Sequence, residues 1–309
     1  MEGAALRIAT RSSPLALVQA GLVADELRAR HPGLIVDLVT IVTEGDRRLE
    51  VPLAEIGGKG VFATEVQAAV LEGRADAAVH SAKDLPAATP DGLRIVAVPV
   101  RADPRDALVG ARLHELPTGA TVATGSGRRR VQLAHLRGDL RFVDLRGNMA
   151  RRLGQVGVGG VDAVVVAVAA LDRLGWSDRL APGSASEVFP ADQVVPQVAQ
   201  GALAIECRVD DDRSAALLAS IEDPGSRRCV DAERAFLHTL GGDCDLPAGA
   251  HAVVDAGGEL HLRAVLAPAS WPEHPAPLAH VERRGVDPEL VGNAAAHDVL
   301  AAVERLGMP

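Results

Sequence analysis

The sequence has no tyrosine, four phenylalanines and two tryptophans. So few aromatics argue against a stacking platform for single-stranded nucleic acid, and the net charge of −9 points the same way. Cysteine is also scarce. Cys207, Cys229 and Cys244 are an odd number at no metal-ligand spacing, which predicts reduced thiols, no metal site and a cytoplasmic setting. The longest apolar run, Ala163 to Leu171, is too short to span a bilayer and reads as a buried strand. Arg7 and Arg11 break the apolar stretch near the start, so it does not read as a signal peptide. No membrane partner and no nucleic acid are expected, and a monomer is the expected state.

Lysine is nearly missing: Lys59 and Lys83 stand alone among 32 basic residues. An overall preference for arginine makes each Arg less informative and each Lys more so. Eleven arginines between Arg101 and Arg152 face five acids, a basic middle in an acidic chain. That pattern suits a local anionic ligand, although a solvated charged face is the plainer alternative. With 309 residues, 48% of them hydrophobic and 24% charged, the chain reads as globular with two or three domains.

Strands and helices alternate along the chain. Leu6 to Thr10 reads as a strand, and Ser13-Pro14 as the N-cap and first position of a helix with apolar Leu15, Val18, Leu22 and Leu27. Leu34 to Val42 is the next strand. Thr43 to Gly60 is glycine-rich and reads as a loop that could act as a mobile lid, with Lys59 at its base. Thr64-x-x-Gln67 has the capping-box pattern, opening a helix that stops at Gly73. The strand Ala75 to Val79 then delivers His80-Ser81-Ala82-Lys83-Asp84. The device recurs: strand Thr121 to Thr124, turn Gly125-Ser126-Gly127, a helix near Arg128, strand Leu140 to Leu145, Arg146-Gly147-Asn148, and a helix with Arg151 and Arg152. Helix starts with Arg beside them favour carboxylates or phosphates; ordinary capped turns are the alternative. The last ninety or so residues change character, with a hairpin about Gly257-Gly258 and a helix from about Pro288 to Leu306. Cys244 stands at the entrance to that part in Gly241-Gly242-Asp243-Cys244.

Several segments carry a family resemblance. Arg11-Ser12-Ser13-Pro14-Leu15-Ala16-Leu17, Gly57-Gly58-Lys59-Gly60-Val61-Phe62 and Val79-His80-Ser81-Ala82-Lys83-Asp84-Leu85-Pro86 resemble porphobilinogen deaminase (hydroxymethylbilane synthase). So do Arg146-Gly147-Asn148, Gln200 to Arg208, Ala232-Glu233-Arg234 and the Cys244 loop, in order over nearly the whole chain. The resemblance implies an α/β fold: two hinged α/β domains like those of periplasmic binding proteins plus a small α+β C-terminal domain. It places domain 1 at residues 1–98 and 197–217, domain 2 at 102–190 and domain 3 at 219–309. Crossings are expected near Val98 to Asp103 and Pro190 to Gln197.

The resemblance also implies a transferase that condenses four porphobilinogens head to tail, with loss of ammonia, on a dipyrromethane cofactor joined to Cys244 by a thioether. Asp84 is the implied catalytic carboxylate. Lys83, Ser126, Arg128, Arg129, Arg146 and Arg152 are the implied cofactor contacts, and Arg11, Ser13, Arg173 and Lys59 the implied substrate contacts. Porphobilinogen and the growing oligopyrrole, both rich in carboxylates, are the implied partners. Read alone, Lys83-Asp84 would pass for a surface ion pair. Two alternatives remain: a divergent relative releasing another oligopyrrole, or a non-enzymatic clamp for an organic anion. Ala9, Ala123, Ala170 and Ala199 stand where the family usually has glycine, and Asp243, Arg151 and Gln67 also depart from its pattern. An alanine at such a place is expected to close the positive-φ region at little cost.

Overall fold

In the computed structural model, residues 5–43, 63–241, 246–268, 271 and 278–307 are described. Internal contacts divide the chain into a first unit, residues 1–102 and 202–227, and a second, residues 103–201 and 228–309. The chain thus leaves the first unit at 102/103, returns at 201/202, beyond Gln197, and leaves again at 227/228.

The first unit is a five-stranded sheet covered by helices. Its strands are β1 (Ala5–Arg11), β2 (Ile35–Ile41), β3 (Ala77–Ser81), β4 (Leu93–Ala97) and β10 (Leu203–Arg208), in the order β2-β1-β3-β10-β4. β1 pairs in parallel with both β2 and β3, while β10 runs antiparallel between β3 and β4. Helix α1 (Pro14–Arg30) begins as the sequence predicts, with Ser13 accepting the Ala16 N–H and Pro14 in the first turn. Its inner face differs from the expected one. Gln19, Ala20, Val23, Ala24 and Leu27 are buried, whereas Leu22 is 51% exposed. The spacing still fits one helical stripe, but alanines on that stripe are easily passed over in favour of leucines. Helix α2 (Thr64–Leu71) also departs from expectation. Ala63, not Thr64, is its N-cap and makes no side-chain cap, and Gln67 turns inward to Glu206 instead of closing a capping box.

The second unit repeats the plan with β5 (Asp106–Val109), β6 (Thr121–Ala123), β7 (Arg141–Val143), β8 (Ala163–Ala167) and β9 (Ser186–Val188), ordered β7-β6-β8-β5-β9. Here β7, β6 and β8 are parallel, and β5 is the antiparallel fourth strand. All five residues of β8 are buried, as expected for a strand with neighbours on both sides and cover on both faces. Helices α3 (Gly127–Leu136), α4 (Met149–Leu153) and α5 (Val168–Arg173) follow β6, β7 and β8. The same unit holds the antiparallel sheet β11 (Ala248–Val254), β12 (Leu260–Leu266) and β13 (Ala279–Gly285). Chain segments α6 (Asp212–Ala219) and α7 (Pro224–Thr239) precede that sheet, and α8 (Pro288–Gly307) follows it. Gly292 lets α8 lie directly on α7: a Cβ there would come within 2.2 Å of the Ala232 carbonyl oxygen. Among the described residues no helix is long and apolar enough to cross a membrane.

One expectation about the alanines fails. Ala199 adopts φ 57°, inside the left-handed region that an alanine was expected to avoid. Its buried N–H donates to Glu233 Oε2 at 2.6 Å, and the Gln200 N–H closes on the Gln197 carbonyl at 2.9 Å. Those bonds over-determine the turn, so the backbone keeps a conformation that disfavours alanine by roughly 1–2 kcal/mol.

Candidate active site

In the first unit the functional residues collect at the carboxyl ends of parallel strands, the usual ligand edge of an open α/β sheet. Arg11 ends β1, and Ser13 follows it as the α1 cap. β3 runs to Ser81 and passes into a single 3-10 turn, Ala82–Asp84, which carries Lys83 and Asp84. The Ala82 N–H donates to the Ala202 carbonyl at 3.0 Å, tying the turn to the start of β10. Arg11, Ser13, Lys83 and Asp84 are all half-buried. Among the described residues no hydrogen bond or ion pair engages the Asp84 carboxylate. Beneath the turn, His80 and Ser81 are held from opposite faces of the sheet. The Ser81 hydroxyl and the Gln19 amide pair at 2.9 and 3.0 Å, while His80 lies against Glu206. Lys59, most of the Thr43 to Gly60 loop, and Cys244 with Asp243 lie outside the described residues.

In the second unit Ser126, Arg128, Arg129, Arg146, Arg152 and Arg173 follow β6, β7 and β8 at the same kind of edge. Ser126 caps α3 by accepting the Arg129 N–H, and Asn148 caps α4 through the Arg151 N–H. Arg128 and Arg129, implied cofactor contacts, both turn inward. They are 2% and 8% exposed and converge on the fully buried Asp106. Arg128 donates to Asp106 Oδ2 at 2.7 Å and to the Val195 carbonyl at 2.6 Å. Arg129 donates to Asp106 Oδ1 at 2.6 Å and to the Val165 carbonyl at 3.0 Å. The Gln200 amide adds a third donor to Asp106 at 2.8 Å.

Burial acts to raise the Asp106 carboxyl. The charges of Arg128 and Arg129, with hydrogen bonds from Arg129 and Gln200, more than reverse that and hold it well below the usual carboxylate range. Two guanidiniums on one carboxylate still leave a net positive charge, and the buried Arg128 Nε has no hydrogen-bond partner. Arg173 is a second case. It makes one bond, to the Gly201 carbonyl at 2.7 Å, and burial pushes its guanidinium down to about 10 although Asp172 opposes the shift. Arg152 donates to the Gly147 carbonyl at 2.9 Å. Arg146 is half-buried, and no hydrogen bond or ion pair engages it among the described residues. Sequence reading missed Asp106 and Gln200 because neither stands near its partners in the chain.

A cavity of about 360 Å³ in the first unit lies at the opposite, amino end of the parallel strands, beside Ala5, Leu6 and Asp76. Its charged walls are already committed: Arg208 bonds the Val70 and Ala75 carbonyls and Asp211.

The methionine-binding protein MetQ aligns over 70% of this chain and 89% of its own, at 15% identity and a TM-score of 0.43. The periplasmic aliphatic sulphonate binding protein SsuA from Escherichia coli aligns over 77% of this chain and 70% of its own, at 16% identity and a TM-score of 0.41. The family model "Porphobilinogen deaminase, dipyromethane cofactor binding domain" matches residues 6–216, and "Porphobilinogen deaminase, C-terminal domain" matches residues 227–301. With both models matched in order over most of its length, the chain belongs to the porphobilinogen deaminase family, whose members are enzymes of tetrapyrrole synthesis.

Proposed function

We propose that the chain is a hydroxymethylbilane synthase, a transferase that condenses four porphobilinogens with loss of four ammonia molecules, after which one water hydrolyses the linear tetrapyrrole from the cofactor. The observation that carries the reading is Asp84, a carboxylate presented on a single turn at the carboxyl edge of a sheet, with Lys83 beside it and Arg11 ending the neighbouring strand. Arg11 and Ser13 would receive the acetate and propionate groups of the incoming pyrrole. Asp84 would accept a hydrogen bond from the pyrrole N–H. As the aminomethyl C–N bond breaks, the pyrrole nitrogen feeds its electron pair into the ring, ammonia departs, and a methylenepyrrolenine cation remains. A carboxylate in place before the charge develops stabilises that cation without reorganising. When the new C–C bond has formed, the α-carbon proton must leave, and Asp84 is the base within reach of the ring.

Dipyrromethane, when bound, supplies the free pyrrole α-carbon from which the chain grows. The residues present suit it. Cys244 would hold it covalently, Arg146, Arg152, Ser126 and Lys83 would meet its carboxylates, and Arg128 and Arg129, held inward on Asp106, would add positive charge behind them. The surplus positive charge around Asp106 supports this part of the reading. Cys207 and Cys229 are buried free thiols, in keeping with a cytoplasmic enzyme. The deciding experiment is Asp84→Asn. It keeps the side-chain shape, so folding and cofactor mass should persist, while turnover falls by about 10²–10³ or more. Turnover at the wild-type rate would remove Asp84 from its role.

A further inference from the structure

Glu206 is fully buried on β10 and His80 is 6% exposed on β3. His80 Nε2 lies 3.1 Å from Glu206 Oε2, near enough for an ion pair when the imidazole is protonated but off the line of a hydrogen bond. Gln67, buried on α2, donates to both carboxylate oxygens of Glu206 at 2.9 and 3.2 Å. In the β3–β10 register His80 faces Ala204, so His80 and Glu206 share the sheet face that α2 covers. The pairing of β10 with β4 slips between Ile205 and Glu206, and such a bulge re-aims the side chain beside it. Three polar side chains therefore meet where leucine or valine would pack without desolvating anything. A buried pair of this kind adds little stability over apolar residues of similar volume. What it does supply is a restricted geometry, because Gln67 holds both oxygens of Glu206 and His80 packs against that carboxylate.

His80 is the penultimate residue of β3, and Asp84 follows four positions later on the turn that β3 feeds. We propose that the Gln67–Glu206–His80 cluster positions Asp84. It fixes the end of β3 against the re-entrant strand β10 and against α2, and so sets where the Lys83-Asp84 turn begins. This rests on the reading that Asp84 is the reacting carboxylate. The cluster touches no substrate; it acts through the backbone.

The test compares two replacements of equal burial. Gln67→Leu/His80→Leu/Glu206→Leu fills the site with apolar side chains, and His80→Gln keeps a donor for Glu206. For each holoenzyme one measures the thermal midpoint, the intact mass with cofactor, the masses of enzyme–substrate intermediates, and kcat and KM for porphobilinogen. The apolar triple should keep its thermal midpoint and cofactor mass, and KM should stay within about twofold. Its kcat and its rate of forming the first intermediate should fall by about ten- to a hundredfold, the cost of a misplacement of roughly 1 Å. His80→Gln should retain kcat within about threefold. A folded triple with wild-type kcat overturns the proposal. If the triple fails to fold, His80→Leu against His80→Gln decides: equal kcat overturns the proposal, and loss in His80→Leu alone supports it. Asp84→Asn run in parallel separates the two ideas. An active Asp84→Asn enzyme sinks the reading of Asp84, whereas an inactive one beside a full-rate triple sinks only the positioning role.

Discussion

Replacing Asp106 by alanine leaves Arg128 and Arg129 facing each other without their shared anion. Removing one partner from a buried ion pair costs about 3–5 kcal/mol, mostly because the remaining charge stays buried and uncompensated. Here two guanidiniums lose their partner, and the Gln200 amide loses an acceptor that contributes about 1 kcal/mol. The expected loss is therefore about 4–6 kcal/mol, a large part of a typical stability of roughly 5–15 kcal/mol. The assay is built into the sequence. Both tryptophans, Trp176 and Trp271, lie in the second unit with Asp106, each packed against a buried apolar cluster. Urea unfolding followed by tryptophan fluorescence thus reports that unit. With a slope of about 2 kcal/mol per molar urea, the midpoint should fall by about 2–3 M. Adding Arg128→Met removes one stranded cation and should recover part of the loss. The linkage has a definite sign. The folded-state pKa of Asp106 is depressed, so its contribution is complete above the unfolded value of about 3.9 and drains away as pH falls toward the folded one. Between about pH 5 and 3 the wild type should lose stability more steeply than Asp106→Ala. A midpoint shift under about 0.5 M would mean that the triad is not a buried charge cluster, and the argument for a surplus cation beside it would go with it.

Three further outcomes follow from other parts of the molecule. Intact-mass measurement of protein made in cells containing porphobilinogen should show a dipyrromethane increment that Cys244→Ser removes; an increment persisting in that variant would move the attachment elsewhere. Ala199→Gly relieves a left-handed alanine at roughly 1–2 kcal/mol and adds unfolded-state freedom of roughly 0.5–1 kcal/mol. The net should be a stabilisation of about 0.5–1 kcal/mol, read in the same urea assay, and a destabilised variant would refute the φ assignment. Glu233→Gln should weaken the same turn by about 1–3 kcal/mol, because the Glu233 carboxylate accepts the Ala199 N–H at 2.6 Å and the Ala252 N–H at 2.8 Å. A thermal midpoint matching the wild type would show those bonds to be dispensable.

What could be read from the sequence was local. Ser13-Pro14 announced α1 and Gly257-Gly258 marked the hairpin, because caps and turns act over a few residues; the run Ala163 to Leu171 predicted a buried strand, but only Ala163–Ala167 is strand and Val168 opens α5. The Thr64-x-x-Gln67 pattern misled for the opposite reason: Gln67 has a partner 139 positions away, which a local motif does not foresee. Asp106 and Arg128 are 22 positions apart and Asp106 and Gln200 94. No periodicity connects them, so the sequence does not foresee that Arg128 and Arg129 share one buried carboxylate. Ala199 shows the limit of a residue-type rule, since tertiary hydrogen bonds outweigh a backbone preference of about 1 kcal/mol.

The antiparallel fourth strand of the first sheet has a consequence for the chain as it is made. β10 sits between β3 and β4, yet it comes about a hundred residues after β4. Until Leu203–Arg208 leaves the ribosome, β3 has an open edge and β4 has no partner in its sheet. At roughly 5–20 residues per second that interval lasts about 5–20 s. During it the nascent chain presents two unpaired strand edges of the kind that invite intermolecular pairing. A ribosome stalled just before Leu203 should hold a first unit open to protease and bound by chaperones. One stalled some forty residues beyond Arg208, enough to clear the exit tunnel, should hold a unit that resists cleavage.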